Sequence, residues 1–271
     1  MIIKNTENVK YFITLDEKTA LHVQNGNRKL GKGIYTVNLV PGSGRLVVIS
    51  SGETLSNVPG TCSGCCEDCC ARWLRDEAGN VVTNKNGDKI VQGGGCYAID
   101  DARTYNKTVI PSTGENTMLA IHDPDRYWSE LDRFCNFNLV AAIRFHSSGE
   151  IPNFNYLRRL VDFARRHDCI KIYLYTKRFS WVERYIAENG GTYENAFPGN
   201  LTVNASIWHK NYENPCKLPE FIYDDHTEPE LENLPHCPAV DKNGKKTGIT
   251  CAQCRHCMNA KPGEKMCVYA H

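Results

Sequence analysis

Clustered cysteines are the residues of this chain best suited to chemistry. The sequence has 14 cysteines among 271 residues, and their spacing makes most of them candidate metal ligands. The predicted ligands are Cys62, Cys65, Cys66, Cys69, Cys70, Cys96, Cys216, Cys237, Cys251, Cys254, Cys257 and Cys267. Thiolates with two residues between them can converge on one metal, because a short turn presents both sulfurs to the same point. The two isolated cysteines, Cys135 and Cys169, are predicted to be buried thiols.

A disulfide framework is the alternative use of so many cysteines. It suits small secreted proteins, whereas a chain of 271 residues can bury a core without cross-links. Adjacent cysteines such as Cys65 and Cys66 also form strained disulfides. The first residues lack the apolar run of a signal peptide, so we expect a cytoplasmic protein that binds metal.

The tail has the sharper ligand spacing. Cys251, Cys254 and Cys257 follow one another with two residues between them. Three such cysteines with a distant Cys-Pro are the ligand arrangement of bacterial ferredoxins, which predicts an iron–sulfur cluster. Zinc is the alternative, although it more often uses paired cysteine knuckles. The fourth ligand stays open among Cys216, Cys237 and Cys267.

The first cluster has overlapping spacings that support different predictions. If residues 62–70 form a helix, the rotation of about 100° per residue puts Cys65 and Cys69 on one flank and Cys66 and Cys70 on another. The two flanks would then bind different centres. The alternative groups Cys66 with Cys69 on one cluster.

That alternative rests on a resemblance to radical S-adenosylmethionine enzymes. Cys62, Cys66 and Cys69 form a CxxxCxxC sequence that resembles the motif of this family, and they follow the apolar run at residues 46–49. The family's motif likewise follows its first barrel strand. The resemblance implies a [4Fe-4S] cluster held by three thiolates, with one iron open to S-adenosylmethionine.

A second segment carries the same resemblance. Ser148, Gly149 and Glu150 lie after a predicted strand and resemble the family's GGE segment, with Ser148 in place of the first glycine. The resemblance implies that these three residues contact the amino group of the cofactor.

The elements that must position these residues alternate between helices and buried strands. Helices are predicted at residues 97–107, 124–134 and 153–167 and from Ser180 to Asn189, and strands at residues 139–145, 170–175 and 201–207. Apolar residues recur with helical periodicity at 153–167, whereas the strands are continuous apolar runs. Such alternation favours right-handed crossovers and a parallel sheet. The predicted fold class is therefore α/β, an incomplete parallel (β/α) barrel-like domain.

Three regions are predicted along the chain. Residues 1–61 are β-rich, with strands at residues 9–15, 35–40 and 46–49; residues 62–210 hold a Cys-rich loop and the barrel-like core; residues 211–271 form a Cys-rich iron–sulfur tail. Metal binding can supply the folding free energy of such a tail, so we expect it to fold around its metal rather than around a core of its own. The regions are predicted to form one compact unit.

Polar residues at strand ends are the remaining site candidates, because ligands bind at the carboxyl ends of parallel strands. Arg144 interrupts an apolar strand, and a buried guanidinium needs an anionic partner. Lys177, at the next strand end, could bind the same anion. His146 is either a structural histidine or a ligand or base. These three residues are the predicted catalytic residues.

Composition narrows the possible partners. The net charge of +1 gives no broad basic surface for nucleic acid. No run approaches the ~18 apolar residues of a membrane span.

A wider resemblance covers nearly the whole chain. The matching segments are Gly26-Asn27-Arg28-Lys29-Leu30, Cys96-Tyr97-Ala98, Arg144 to Glu150, Tyr175-Thr176-Lys177 and the Cys-rich tail. In these segments the chain resembles the phage "gene product 88" domain family. The resemblance implies a phage or mobile-element protein in a bacterial cytoplasm and supplies no reaction.

Two functions of different classes stay open. The first is an iron–sulfur enzyme with two or three [4Fe-4S] clusters, one of them open to S-adenosylmethionine, acting on a small-molecule or macromolecular substrate with electrons from a reductant protein. The second is a non-catalytic iron–sulfur or zinc protein that binds a protein or nucleic-acid partner.

Overall fold

The computed structural model describes residues 19–26, 29–42, 45–50, 53–62, 76, 82–87, 97–207, 214–224, 226 and 228–269. The strands are β1 (Gln24–Asn25), β2 (Ile34–Val37), β3 (Arg45–Ser50), β4 (Glu53–Pro59), β5 (Ala142–Phe145), β6 (Lys171–Thr176), β7 (Leu201–Ile207), β8 (Glu220–Asp224) and β9 (Lys265–Tyr269). The helices are α1 (Tyr97–Thr104), α2 (Asn106–His122), α3 (Pro124–Phe137), α4 (Phe154–Arg166), α5 (Phe179–Glu188), α6 (Tyr193–Ala196) and α7 (Cys251–Cys254), with a 3-10 helix at Pro229–Asn233. The predicted strand at residues 9–15 lies outside the described residues.

The chain divides into two compact units. The first comprises Met1–His22, Asn38–Asp123 and Ser148–Pro152, and the second comprises Val23–Val37, Pro124–Ser147 and Asn153–His271.

The first unit contains the hairpin of β3 and β4 and the helices α1 and α2. Strand β3 pairs antiparallel with β4 in a separate two-stranded sheet. The expectation that residues 46–49 form the first strand of a barrel is therefore wrong. A local hairpin pairing satisfies the backbone groups of this apolar run without a parallel neighbour.

Helix α2 was not predicted, because its buried side includes polar residues. The Thr117 hydroxyl accepts a hydrogen bond from the Val40 amide at 2.9 Å, and the Asn116 amide donates to the carbonyl oxygens of His22 at 2.9 Å and Asn38 at 3.0 Å. Polar residues that point inward remove the apolar periodicity on which a helix prediction depends.

The second unit contains a seven-stranded sheet with the order β1-β2-β5-β6-β7-β8-β9. All neighbours from β2 to β9 are parallel, and β1 is an antiparallel edge strand. The parallel α/β prediction is confirmed. The barrel-like part is corrected to an open sheet, since closure would need the outermost strands to pair, and β1 and β9 are the ends of the strand order in the described residues.

Helices cover one face of this sheet. Phe145 on β5 packs against Trp128 of α3 and Phe163 of α4, each at a ring-centre distance of 6.1 Å. Asn153 caps α4 by accepting a hydrogen bond from the Tyr156 amide at 2.8 Å, which confirms the amphipathic helix predicted at this position.

The opposite face carries the carboxyl-terminal tail, and we call it the tail face. Side chains alternate between the faces of a strand, so residues in register on neighbouring strands share one face. Arg144 of β5, Tyr173 of β6 and Thr202 of β7 are in register, and Tyr175 pairs in register with Asn204. Polar and aromatic side chains therefore line the tail face at the centre of the sheet.

The tail also adds strands to the sheet. Strands β8 and β9 pair in parallel, and a buried apolar cluster accompanies them. Its members are Cys237, Ala239, Val240, Met266 and Val268. The tail thus has apolar packing of its own, contrary to the expectation that metal alone would order it.

None of the helices in the described part of the chain is both long enough and apolar enough to cross a bilayer.

Candidate functional site

The tail cysteines begin on the short helix α7, whose position is fixed by backbone hydrogen bonds. The Cys251 amide donates to the Lys29 carbonyl oxygen and the Ala252 amide to that of Leu30, both at 2.9 Å. Thr250 and Gln253 form a capping box at the start of this helix. Cys251 and Cys254, three residues apart, therefore lie on the same side of one helical turn.

Gly31 permits the close approach of this helix. Its φ is +85°, and a Cβ atom there would lie 2.9 Å from Thr250 Oγ1 and 3.1 Å from the Ala252 Cβ. Both the backbone conformation and the space exclude a larger residue. The loop that precedes β2 is thus built to receive the Cys251 segment.

Strand β7 holds the next part of the tail. Asn204 Nδ2 donates to the carbonyl oxygens of Cys257 at 3.0 Å and Leu174 at 3.1 Å, and Thr202 Oγ1 donates to that of Met258 at 3.0 Å. These buried polar residues of the tail face have the backbone of the cysteine segment as their partner.

Four tail cysteines share one electrostatic neighbourhood. Burial raises the pKa of Cys257 to about 12, a hydrogen bond from Tyr175 opposes the rise, and the charges of Cys237 and Cys251 add to it. Burial also raises the pKa of Cys251, and Cys237 and Cys254 act in the same direction. Cys237 thus lies close enough to this segment to affect the pKa of both Cys251 and Cys257.

Arg144 supplies the positive charge in this neighbourhood. Its guanidinium lowers the pKa of both Cys251 and Cys257, in opposition to their burial. The guanidinium carbon lies 4.9 Å from the centre of the Tyr175 ring. The sequence predicted an anionic partner for Arg144, and the structure places two thiols close enough for its charge to lower their pKa.

Two tyrosines complete the site. Tyr175 donates a hydrogen bond from its hydroxyl to the Cys257 sulfur. Tyr173 is only 1% exposed, and its hydroxyl has no hydrogen-bond partner among the described residues. Burial, together with the charges of Cys251 and Cys257, raises its pKa. A buried hydroxyl without a partner is costly and calls for an acceptor. Sequence reasoning missed both residues, although their alternation in β6 could have placed them on the face of Arg144.

Among the described residues, no three Cys, His, Asp or Glu side chains are placed to bind a metal ion together. The thiols, the nearby cation and the buried Tyr173 hydroxyl are nevertheless the kinds of group that suit an anionic thiolate-bound centre. Ligation would require the thiols to come closer together.

The two other candidates for the fourth ligand lie elsewhere. Cys216 donates a hydrogen bond to the Phe179 carbonyl oxygen at 3.5 Å, and burial followed by the charge of Glu183 raises its pKa to about 11. Cys267 is buried, and burial followed by the charge of Asp224 raises its pKa to about 11. Of the isolated cysteines, Cys135 is buried as predicted, whereas Cys169 is exposed, contrary to prediction.

The first cysteine cluster falls almost entirely outside the described residues. Cys62 is half-buried, and its amide donates to the Gly42 carbonyl oxygen at 2.9 Å. The remaining predicted ligands of this cluster are outside the described residues: Cys65, Cys66, Cys69, Cys70 and Cys96. Both interpretations of residues 62–70 stay predictions.

The segment from Ser148 to Glu150 packs against the residue that precedes Cys62. The Glu150 amide donates to Thr61 Oγ1 at 2.8 Å, and the amide of Leu39 donates to the Ser148 carbonyl oxygen at 3.0 Å. Gly149 has a φ of +87°, and a Cβ atom there would lie 2.8 Å from Leu39 and from Thr61. These contacts place the segment at the start of the first cysteine cluster.

The predicted catalytic residues are not brought together. The His146 ring lies 5.4 Å from that of Tyr156 of α4, on the helical side, whereas Arg144 belongs to the tail face. His146 is 4% exposed, neither ring nitrogen has a hydrogen-bond partner in the described ranges, and burial lowers its pKa to about 3. Lys177 Nζ donates to Ser206 Oγ at 2.9 Å.

Comparison with known proteins gives one match. The family model described as gene product 88 matches residues 20–260. No curated protein and no solved structure matches the chain. The resemblance to that family is confirmed, and the comparisons give no support for the resemblance to radical S-adenosylmethionine enzymes.

Proposed function

The chain belongs to the gene product 88 family, and we propose that it is an iron–sulfur protein whose tail binds a [4Fe-4S] cluster. The proposed ligands are Cys237, Cys251, Cys254 and Cys257. They would hold the cluster on the tail face of the sheet, and the cluster would supply one-electron transfer.

The observation that carries this proposal is the placement of Arg144 among the tail thiols. Its charge favours the thiolate forms of Cys251 and Cys257, which are the forms that bind metal. A cluster held by four thiolates is an anion, and this cation would stabilise it.

The backbone supports the same grouping. The hydrogen bonds to the carbonyl oxygens of Lys29 and Leu30 fix the first ligand, and those from Asn204 and Thr202 fix the last. Hydrogen bonds of this kind, from residues that do not bind the metal themselves, orient the ligands in metal proteins.

Elemental analysis of matched cysteine variants tests the proposal. The anaerobically purified protein should contain iron and acid-labile sulfide, and Cys254→Ala should lose about four iron and four sulfide per chain. Cys216→Ala is the control, because Cys216 lies beside Phe179 and Glu183, and it should lose none. A colourless protein that contains stoichiometric zinc would contradict the proposal and favour a non-catalytic binding protein with structural zinc sites.

A second candidate function is reductive cleavage of S-adenosylmethionine at an open cluster bound by Cys62, Cys66 and Cys69. The contact of Glu150 with Thr61 favours it, because the segment that resembles the GGE motif then adjoins the first of these cysteines. The reduced protein should release 5′-deoxyadenosine from S-adenosylmethionine, and Cys66→Ala should not. Retention of the tail iron in Cys66→Ala would show that the two clusters are separate.

A further inference from the structure

Three residues of the tail face lie beside the tail cysteines and can affect the electrons of a cluster bound there. We propose that Tyr173, Tyr175 and Arg144 set the reduction potential of the tail cluster by stabilising its reduced state. This inference rests on the cluster proposed above. It concerns positioning residues that donate to or face the ligands and bind no metal themselves.

Tyr175 is the donor to a ligand. Its ring is held between the Arg144 guanidinium at 4.9 Å and the Phe221 ring at 4.8 Å. Its hydroxyl donates to the Cys257 sulfur. The rigid ring therefore aims one hydrogen bond at one thiolate.

Tyr173 is the donor that lacks an acceptor. It lies two residues before Tyr175 on the same face, with ring centres 6.2 Å apart. It packs in the same apolar cluster as Cys251 and Cys257, and its hydroxyl has no partner within the part of the chain that the structure describes. A cluster adds sulfur acceptors at this position, and these would satisfy the buried hydroxyl.

Arg144 is the fixed charge. It lies in register with Tyr173 on the neighbouring strand, and a guanidinium stays protonated at all ordinary pH values. Reduction adds an electron to a centre that is already negative. A nearby cation and two hydrogen-bond donors stabilise the added charge, so each of them raises the reduction potential.

Redox titration of single variants tests the inference. The tail cluster is identified as the electron paramagnetic resonance signal that Cys254→Ala loses. Tyr175→Phe and Tyr173→Phe should each shift the equilibrium of that signal about tenfold toward the oxidised form, which corresponds to ~59 mV for one electron. Arg144→Met should shift it further, and Arg144→Lys should recover part of the shift because it restores the charge.

Tyr156→Phe is the matched control. Tyr156 is equally buried, but its hydroxyl is hydrogen-bonded to that of Tyr127 at 2.8 Å on the helical side. It should lose stability without any change in potential. Unchanged potentials in both Tyr173→Phe and Tyr175→Phe, with full iron and sulfide, would overturn this inference and leave the cluster in place. Absence of iron and sulfide from the unmodified protein would overturn the cluster itself.

Discussion

Asn204 should couple the tail to the sheet, and its loss should open the tail before the rest of the protein unfolds. The side chain is 2% exposed and donates to Leu174 within the sheet and to Cys257 in the tail. Each hydrogen bond contributes about 1 kcal/mol, and each buried carbonyl left without a donor costs about 1 kcal/mol more. We therefore expect Asn204→Ala to lower the free energy of unfolding by about 2–4 kcal/mol.

Asn200 provides the matched control. It is 8% exposed and donates to the carbonyl oxygens of Ala164, His167 and Ile170 at 2.9–3.0 Å, all of which lie outside the tail. Asn200→Ala should cost more global stability, about 3–6 kcal/mol by the same reasoning, because three carbonyl oxygens lose their donor. Urea unfolding followed by circular dichroism measures this cost.

The local effect distinguishes the two variants. Hydrogen exchange of the peptide that contains Cys257 and Met258 should accelerate in Asn204→Ala beyond the global loss of stability, because that segment opens by itself. In Asn200→Ala its exchange should follow global unfolding. Equal acceleration in both variants would refute the idea that Asn204 anchors the tail.

Three further predictions follow from other parts of the molecule. Gly149→Ala should lower the free energy of unfolding by more than ~2 kcal/mol in thermal unfolding, since its φ of +87° and neighbouring atoms 2.8 Å away both exclude a Cβ atom. Gly191→Ala, with a φ of +74° and open space around it, should lower it by about 1 kcal/mol. Equal losses would contradict the packing argument. Burial lowers the pKa of His146 to about 3, so between about pH 6.5 and pH 3 the unfolded chain binds a proton that the folded chain does not. The free energy of unfolding should therefore decrease by up to about 1.4 kcal/mol for each pH unit by which the pH is lowered in this range, and less steeply in His146→Asn. Denaturant titrations at each pH that give the same pH dependence for both proteins would contradict this. In the folded protein a thiol reagent should label exposed Cys169 and spare buried Cys135, whose pKa burial raises to about 12; peptide mapping that finds both labelled would contradict the placement of α3.

The sequence predicted correctly those elements whose residue pattern depends on burial alone. Helix α4 has the apolar periodicity of a helix with one buried stripe, and β6 and β7 have the continuous apolar runs of strands that are buried on both faces. Strand β5 begins at Ala142, later than predicted, and Leu139 is fully exposed. Helix α2 was not predicted because polar residues such as Asn116 and Thr117 are buried among its apolar ones, and their tertiary hydrogen bonds interrupt the apolar stripe.

The candidate site was predictable only in part, for a similar reason. The spacing of the tail cysteines indicated which residues could act together, and Arg144 indicated that an anion should lie near it. Spacing could not show which distant cysteine lies near Cys257, since that depends on how the chain passes β9. The roles of Tyr173 and Tyr175 depend on strand register, which emerges only when β5, β6 and β7 are paired.

The burial of Cys257 has a consequence for its reactivity. Because burial raises the pKa of this thiol to about 12, the thiolate is a minor form at neutral pH. Thiols are poor nucleophiles, so oxygen and electrophiles should attack this sulfur slowly. If the tail binds a cluster as proposed, ligation must displace this proton, so loading should release acid and slow down as the pH falls. The burial that protects the sulfur from oxidation would then also make cluster loading a proton-coupled event.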